Sequence, residues 1–340
     1  MVLIHTTALA LGTLTKGAPV FYPLFLLNRV AQFAVPLFVF ISGLALTYGY
    51  AARRIEYLAF LRKRVISVTV PYLLWSLIYF LRANLPNLGS PSLSLPLLVK
   101  GIVIGSTYYH LYFIIIILQF YLVFPFLLSL VTRFRSRRTL AVALIVAAHV
   151  GYLLFSQRFY FRYNDRFLPT YFLFFGLGML AGLDIDGFRR FLTRRLRGVV
   201  AAFGMSLSAY LALSFADQVL GWTPPNLWFS LAWVGYSALA GVFFYLIPAL
   251  AFNFHLSQLR RRRWTSFSGL LETLGRDSFA IYLMHPLILS VSGALLSPSK
   301  LASTTLSFAL NVFLSIGLSV LATRFLRRAP YGRYLIGRVN

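Results

Sequence analysis

Of the five histidines in the chain, four, His5, His110, His149 and His285, stand inside or at the ends of long apolar stretches. A neutral imidazole can accept a proton near neutral pH, which is what a general base for an alcohol needs, and it can equally pack as a satisfied interior side chain. Position singles out two of them. His285 lies in SFAIYLMHPLIL and is followed by Pro286, whose ring interrupts helical hydrogen bonding and lets backbone groups line a cavity. His5 lies in the opening VLIHTT, and two imidazoles at similar depth could face one internal site. A histidine pair could instead hold a metal ion, but the chain has no cysteine, and no acid accompanies His5 or His285 in its apolar segment, so no metal is expected.

The seven acids, Glu56, Asp165, Asp184, Asp186, Asp217, Glu272 and Asp277, read as loop or helix-end residues. That distribution argues against a cation- or proton-coupled transporter, which usually carries a carboxylate within the membrane. An enzyme with a histidine base and arginine-held phosphates needs no such carboxylate.

The elements that must position these side chains are membrane helices. Hydrophobic residues make up 59% of the 340 and charged residues 11%, and the mean hydropathy is +0.78, outside the range of soluble domains. Ten apolar segments are expected, near 1–14, 30–50, 66–82, 108–131, 139–155, 168–182, 198–216, 227–250, 278–296 and 303–323. Most are long enough to cross a bilayer. The first is not: at about 1.5 Å per residue it covers roughly 21 Å of a core near 30 Å. It has no basic leader, so it does not read as a signal peptide, and the expectation is a first span that an upstream extension would complete.

The net charge of +25 follows from topology. Most of the 32 Lys and Arg residues fall in alternate loops, at 53–64, 133–138, 189–197, 260–276 and 324–338, as the positive-inside rule requires if both termini are cytoplasmic. This reading leaves no need for a nucleic-acid partner. The expected fold is an all-α integral membrane protein, a single domain over residues 1–340 of about ten transmembrane helices. The stretch NLPNLGSPSLSLP, residues 84–96, reads as a connector at the lipid surface.

Five stretches, in order, carry a resemblance: VPLFVFISGL (35–44), LRKRVISVTVPYLLW (61–75), HLYFIIIILQFYLVFP (110–125), FFGLGMLAG (174–182) and SFAIYLMHP (278–286). Together with VLIHTT they resemble the successive helices of the acyltransferase 3 family, multi-spanning enzymes that modify bacterial surface polysaccharides and related acceptors. The resemblance implies a bacterial inner-membrane O-acyltransferase. It would take an acyl group, often acetyl, from cytosolic acyl-CoA, a donor substrate and not a bound cofactor, and deliver it to a hydroxyl of a glycan or glycolipid acceptor in the cell envelope. By the same resemblance His5 corresponds to the base acting on the acceptor hydroxyl, and Arg64 and Arg62, with Lys63 beside them, correspond to the basic residues associated with acyl-CoA. A polyanion bound by guanidinium groups fits that role, and so does plain topology.

His285 joins His5 as a candidate catalytic residue, with His110 and Tyr282 as further candidates; His149 reads as packing, Tyr121 as an anchor, and Ser42 and Gly43 as positions of close helix contact. Two departures stand out. The family's arginine about eleven residues before its first-helix histidine would precede Met1, and Ser67 occupies the place of a second arginine in the third helix. A transporter or flippase of envelope precursors without covalent chemistry is the rival class, and a structural subunit of an envelope-polymer machine is a third.

Overall fold

The computed structural model describes residues 1–53, 55–84, 94–159, 161–258 and 264–337, with the side chains of 248–268 left out. Among them 83% are helical and none forms a strand. In chain order the helices are α1 (Val2–Leu11), α2 (Phe21–Ala31), α3 (Ala34–Tyr50), α4 (Tyr57–Asn84), α5 (Leu95–Ile104), α6 (Tyr112–Arg133), α7 (Arg138–Arg158), α8 (Phe172–Leu183), α9 (Ile185–Arg194), α10 (Leu196–Gln218), α11 (Asn226–Gln258), α12 (Trp264–Leu295), α13 (Pro298–Leu301), α14 (Thr304–Arg328) and α15 (Gly332–Ile336).

Eight described helical spans are long and apolar enough to cross a membrane, and nine if a bent pair counts as one. The protein is therefore a multi-span membrane protein. Each of the ten expected segments falls on a helix, with two qualifications. α1 has ten residues and rises only about 15 Å. α8 is short as well, and the chain then turns by 104° into α9. The turn has a local cause: Asp184 caps α9, its Oδ1 accepting from the Gly187 amide at 2.8 Å while its Oδ2 accepts from Arg138 at 2.8 Å. The connector expected at 84–96 lies largely outside the described residues; its end opens α5, which the sequence did not announce.

The chain divides into two compact units. The first comprises Met1–Ala31, Leu61–Leu118 and Arg260–Asn340. Here α14 packs on α12 and α1, and α1 packs on α2. The inner face of α14 is polar at every fourth position: Ser307, Asn311, Ser315, Ser319 and Thr323 are all buried. Small polar side chains let helices approach closely in lipid, where burying apolar surface gives no drive to associate. Three contacts tie α14 to α12 and to Leu296, the residue that follows α12. Ser307 Oγ donates to the Leu296 carbonyl at 2.5 Å, Ser292 Oγ donates to Asn311 Oδ1 at 2.5 Å, and Arg327 pairs with Asp277. Asp277 corrects the expectation that every acid lies in a loop or at a helix end, for it sits within α12 with its side chain fully buried.

The second unit comprises Gln32–Phe60 and Gln119–Leu259. Its centre is the contact of α3 with α8, where the backbones touch. A methyl group added at Gly43 would stand 2.3 Å from the Phe175 carbonyl oxygen; at Gly178 it would stand 2.0 Å from that of Phe40, and at Gly182 2.5 Å from that of Leu44. Gly178 and Gly182 are one helical turn apart, the spacing that opens a groove along a membrane helix. Gly43 is a close-contact position, as the sequence suggested, and Ser42 turns its hydroxyl back to the Phe38 carbonyl at 2.8 Å.

Candidate functional site

The site forms in the first unit around the proline of α12. Pro286 has no amide hydrogen, so the Tyr282 carbonyl one turn earlier lacks its usual partner. The His285 imidazole fills that gap: Nδ1 lies 2.9 Å from the Tyr282 carbonyl and 3.0 Å from that of Ile281. Carbonyl oxygens only accept, so Nδ1 carries the hydrogen and Nε2 of the neutral ring carries a lone pair. That Nε2 is buried and has no hydrogen-bond partner. A second repair stands beside the first. The Tyr79 hydroxyl of α4 donates to the Leu283 carbonyl at 2.6 Å and accepts from the Leu287 amide at 3.1 Å, bridging the helix across the proline.

Two more histidines meet His285. His5 of α1 stacks on it, with ring centroids 5.4 Å apart and planes 26° from parallel, and its own Nε2 is buried without a partner. His110 packs edge-on at 5.8 Å. It is fully buried, and the hydroxyl of Tyr282 donates to its backbone carbonyl. Tyr282 therefore spends its only donor on the backbone and acts as a brace for the loop before α6. That loop begins at Gly105, which ends α5 in the left-handed conformation at φ +66°, where an added methyl would stand 2.7 Å from Tyr112 Cα. The loop carries Tyr108 and Tyr109 as well: Tyr108 stacks on Tyr79 at 4.3 Å, and Tyr109 meets His5 at 4.5 Å. His5 is itself held in place from α2, where Asn28 donates to the Ile4 carbonyl at 3.0 Å and to Thr7 Oγ1 at 2.9 Å.

His5, His285, His110 and Tyr282 thus come together, from three separate parts of the chain. Arg62, Lys63 and Arg64 do not join them. They open α4, whose rise puts Arg64 about 22 Å along the axis from Tyr79. Arg62 and Lys63 are exposed and Arg64 is half-buried. Ser67, in the place of a second arginine, donates to the Arg64 carbonyl at 2.9 Å and so faces its own helix. His149 belongs to the second unit, where its Nδ1 lies 3.2 Å from the Pro169 carbonyl. Among the described residues no three His, Cys, Asp or Glu side chains are grouped as a metal ion requires.

Sequence reasoning missed Tyr79, Tyr109 and Asn28. Tyr109 carried a signal, being adjacent to His110. Tyr79 carried a weaker one: it follows Tyr72 by two helical turns on the same face, and Tyr72 likewise donates to a backbone carbonyl, that of Ile102 at the end of α5.

The cluster offers unpartnered imidazole nitrogens of His5, His285 and His110 in a buried, aromatic-walled setting, which suits abstraction of a proton from a weakly acidic hydroxyl. Residues 1–324 match the family model described as an acyltransferase domain. A probable poly-beta-1,6-N-acetyl-D-glucosamine export protein of Staphylococcus aureus strain MSSA476 is 23% identical over 333 residues, covering 92% of this chain and 85% of that protein. A protein of the same description from Staphylococcus epidermidis is 25% identical over 324 residues, covering 92% and 83%. No solved structure shows a significant match.

Proposed function

Because the chain belongs to the acyltransferase domain family, we propose that it is an O-acyltransferase moving an acyl group, acetyl in the simplest case, from cytosolic acyl-CoA to a hydroxyl of a cell-envelope saccharide in the bacterial inner membrane. The observation that supports this most is the stacked pair His5 and His285, each with a buried Nε2 that no protein group occupies.

In this reading His5 Nε2 takes the proton of the acceptor hydroxyl as its oxygen attacks the thioester carbonyl. The tetrahedral intermediate collapses by breaking the C–S bond, the CoA thiolate recovers the proton, and the saccharide leaves as its ester. His285, its tautomer held by the Tyr282 carbonyl freed at Pro286 and by the Ile281 carbonyl beside it, presents a second proton acceptor beside the first. Arg64, with Arg62 and Lys63, binds CoA phosphates at the start of α4. The distance of about 22 Å along α4 fits a long donor whose anionic end stays near the surface while its thioester reaches the imidazoles.

The relatives' names favour a second reading, export of a glycan without covalent change. One experiment separates the two. Purified protein is incubated with labelled acetyl-CoA, with and without an oligosaccharide acceptor, beside the variant His5→Ala. Transfer that disappears in the variant supports the enzyme, whereas glycan movement across vesicles with no label incorporated supports the exporter.

A further inference from the structure

The second unit holds a cavity of about 420 Å³ at the C-terminal end of α7, far from the basic turn that begins that helix. Its lining combines Trp233 and Phe161 with the amide side chains of Gln157, Asn164 and Asn226, and with Arg158. This is an unusual wall for a chain that is 59% hydrophobic. The cavity at the opposite end of α7 makes the contrast: at about 380 Å³ it is nearly as large, and apart from Arg138 and Thr139 it is lined by side chains such as Phe40, Val142, Leu180 and Phe188.

Flat aromatic faces packed among primary amides match one ligand class above others. A pyranose ring presents apolar C–H faces that cover an aromatic ring, and a rim of hydroxyl or acetamido groups that both donate and accept, as an amide side chain does. A lipid chain would waste the amides, and a polyanion would find one cation. The volume falls in the range of small-molecule pockets. The wall is also fixed in place. Asn164 accepts from the Tyr152 hydroxyl through Oδ1, and its carbonyl accepts from Thr170 Oγ1 at 2.7 Å. Gln119 clamps the same loop, donating to the Arg166 carbonyl at 2.8 Å and accepting from the Leu168 amide at 3.0 Å. Trp233 is braced edge-on by Phe174 at 5.9 Å. A pocket ordered before its ligand arrives loses less freedom on binding.

We propose that this cavity is a saccharide subsite, which binds a pyranose unit of the glycan through Trp233, Asn164 and Asn226 and gives the protein a hold on its acceptor separate from the histidine cluster. The proposal rests on the reading that the acceptor is an envelope saccharide.

The test is binding of a β-1,6-linked N-acetylglucosamine oligosaccharide to the detergent-solubilised full chain, measured by saturation-transfer NMR and titration. Thioester hydrolysis of acetyl-CoA is followed on the same preparation. The native chain is expected to bind, Trp233→Ala and Asn226→Ala each to weaken binding about tenfold, and Trp233→Phe to keep it within about threefold. Asn226 is exposed at the first turn of α11, so its variant remains informative if Trp233→Ala fails to fold. Equal affinity in the native chain and Asn226→Ala, or no binding by a native chain that hydrolyses acetyl-CoA, overturns the subsite. Pocket-dependent binding by a protein that never cleaves the thioester would instead overturn the acyl-transfer reading and leave the subsite standing.

Discussion

At the scale of single residues, the proposed acyl transfer rests on the two imidazoles of His5 and His285, and the Tyr79 hydroxyl braces the helix that carries one of them. His5→Ala is expected to lower acyl transfer by about 10²- to 10⁴-fold, the usual worth of a general base, with the fraction of folded protein unchanged. Tyr79→Phe is milder: it removes the bridge between Leu283 and Leu287, so turnover should fall about tenfold and thermal stability by about 1 kcal/mol, read from kinetics and melting of the same sample. The histidines could be picked out from sequence because an imidazole in an apolar run is conspicuous and because Pro286 marks a gap in the helix. Tyr79 left only the faint signal of its two-turn spacing from Tyr72, because a tyrosine in a membrane helix is unremarkable until another helix is known to cross it at a proline. Asp277 was misread for a related reason: it stands one residue before the apolar run 278–296, and only the arginine of a distant helix turns that edge into an interior.

At the scale of elements, the contact of α3 with α8 and the bend into α9 make separate expectations. Gly178→Ala places a methyl against the Phe40 carbonyl and should destabilise the fold by about 1–3 kcal/mol, whereas Gly151→Ala in α7, with open space around it, should be neutral or slightly stabilising. Thermal melting of the two variants side by side checks the pair. Asp184 governs the bend. The Gly187 amide, then Arg138, hold its carboxyl below the ordinary value of 3.8. A depressed folded value means that the stabilising contribution is fully present above the ordinary value and is lost as pH falls through the lower, folded one. The native chain should therefore lose more melting temperature than Asp184→Asn between pH 5 and the acid limit of the assay. The spans were legible as apolar runs of sufficient length. The helix α9 was not, because its sequence IDGFRRFLTR reads as a charged loop, although Asp184 three residues before Gly187 was a capping signal in plain view.

At the scale of the whole molecule, the pair of buried Asp277 and half-buried Arg327 sets a cost on partial change. Arg327→Met leaves the buried Asp277 carboxylate with only its longer pair to Arg276, at 3.8 Å, and should cost about 1–3 kcal/mol, while adding Asp277→Asn should recover part of the loss, as a double-mutant cycle of melting temperatures would show. This pair is the third of three fastenings between α12 and α14, and the three share one geometry: 292 meets 311, 296 meets 307 and 277 meets 327. Going down one helix by fifteen positions means going up the other by sixteen, so the two act as a pair of opposed rulers clasped at both ends. His285 sits between the clasps. One residue inserted in α14 between Asn311 and Arg327 would leave the contacts at 292 and 296 in register but swing Arg327 by about 100° around its helix, away from Asp277, and so open the clasp on one side of the imidazole only.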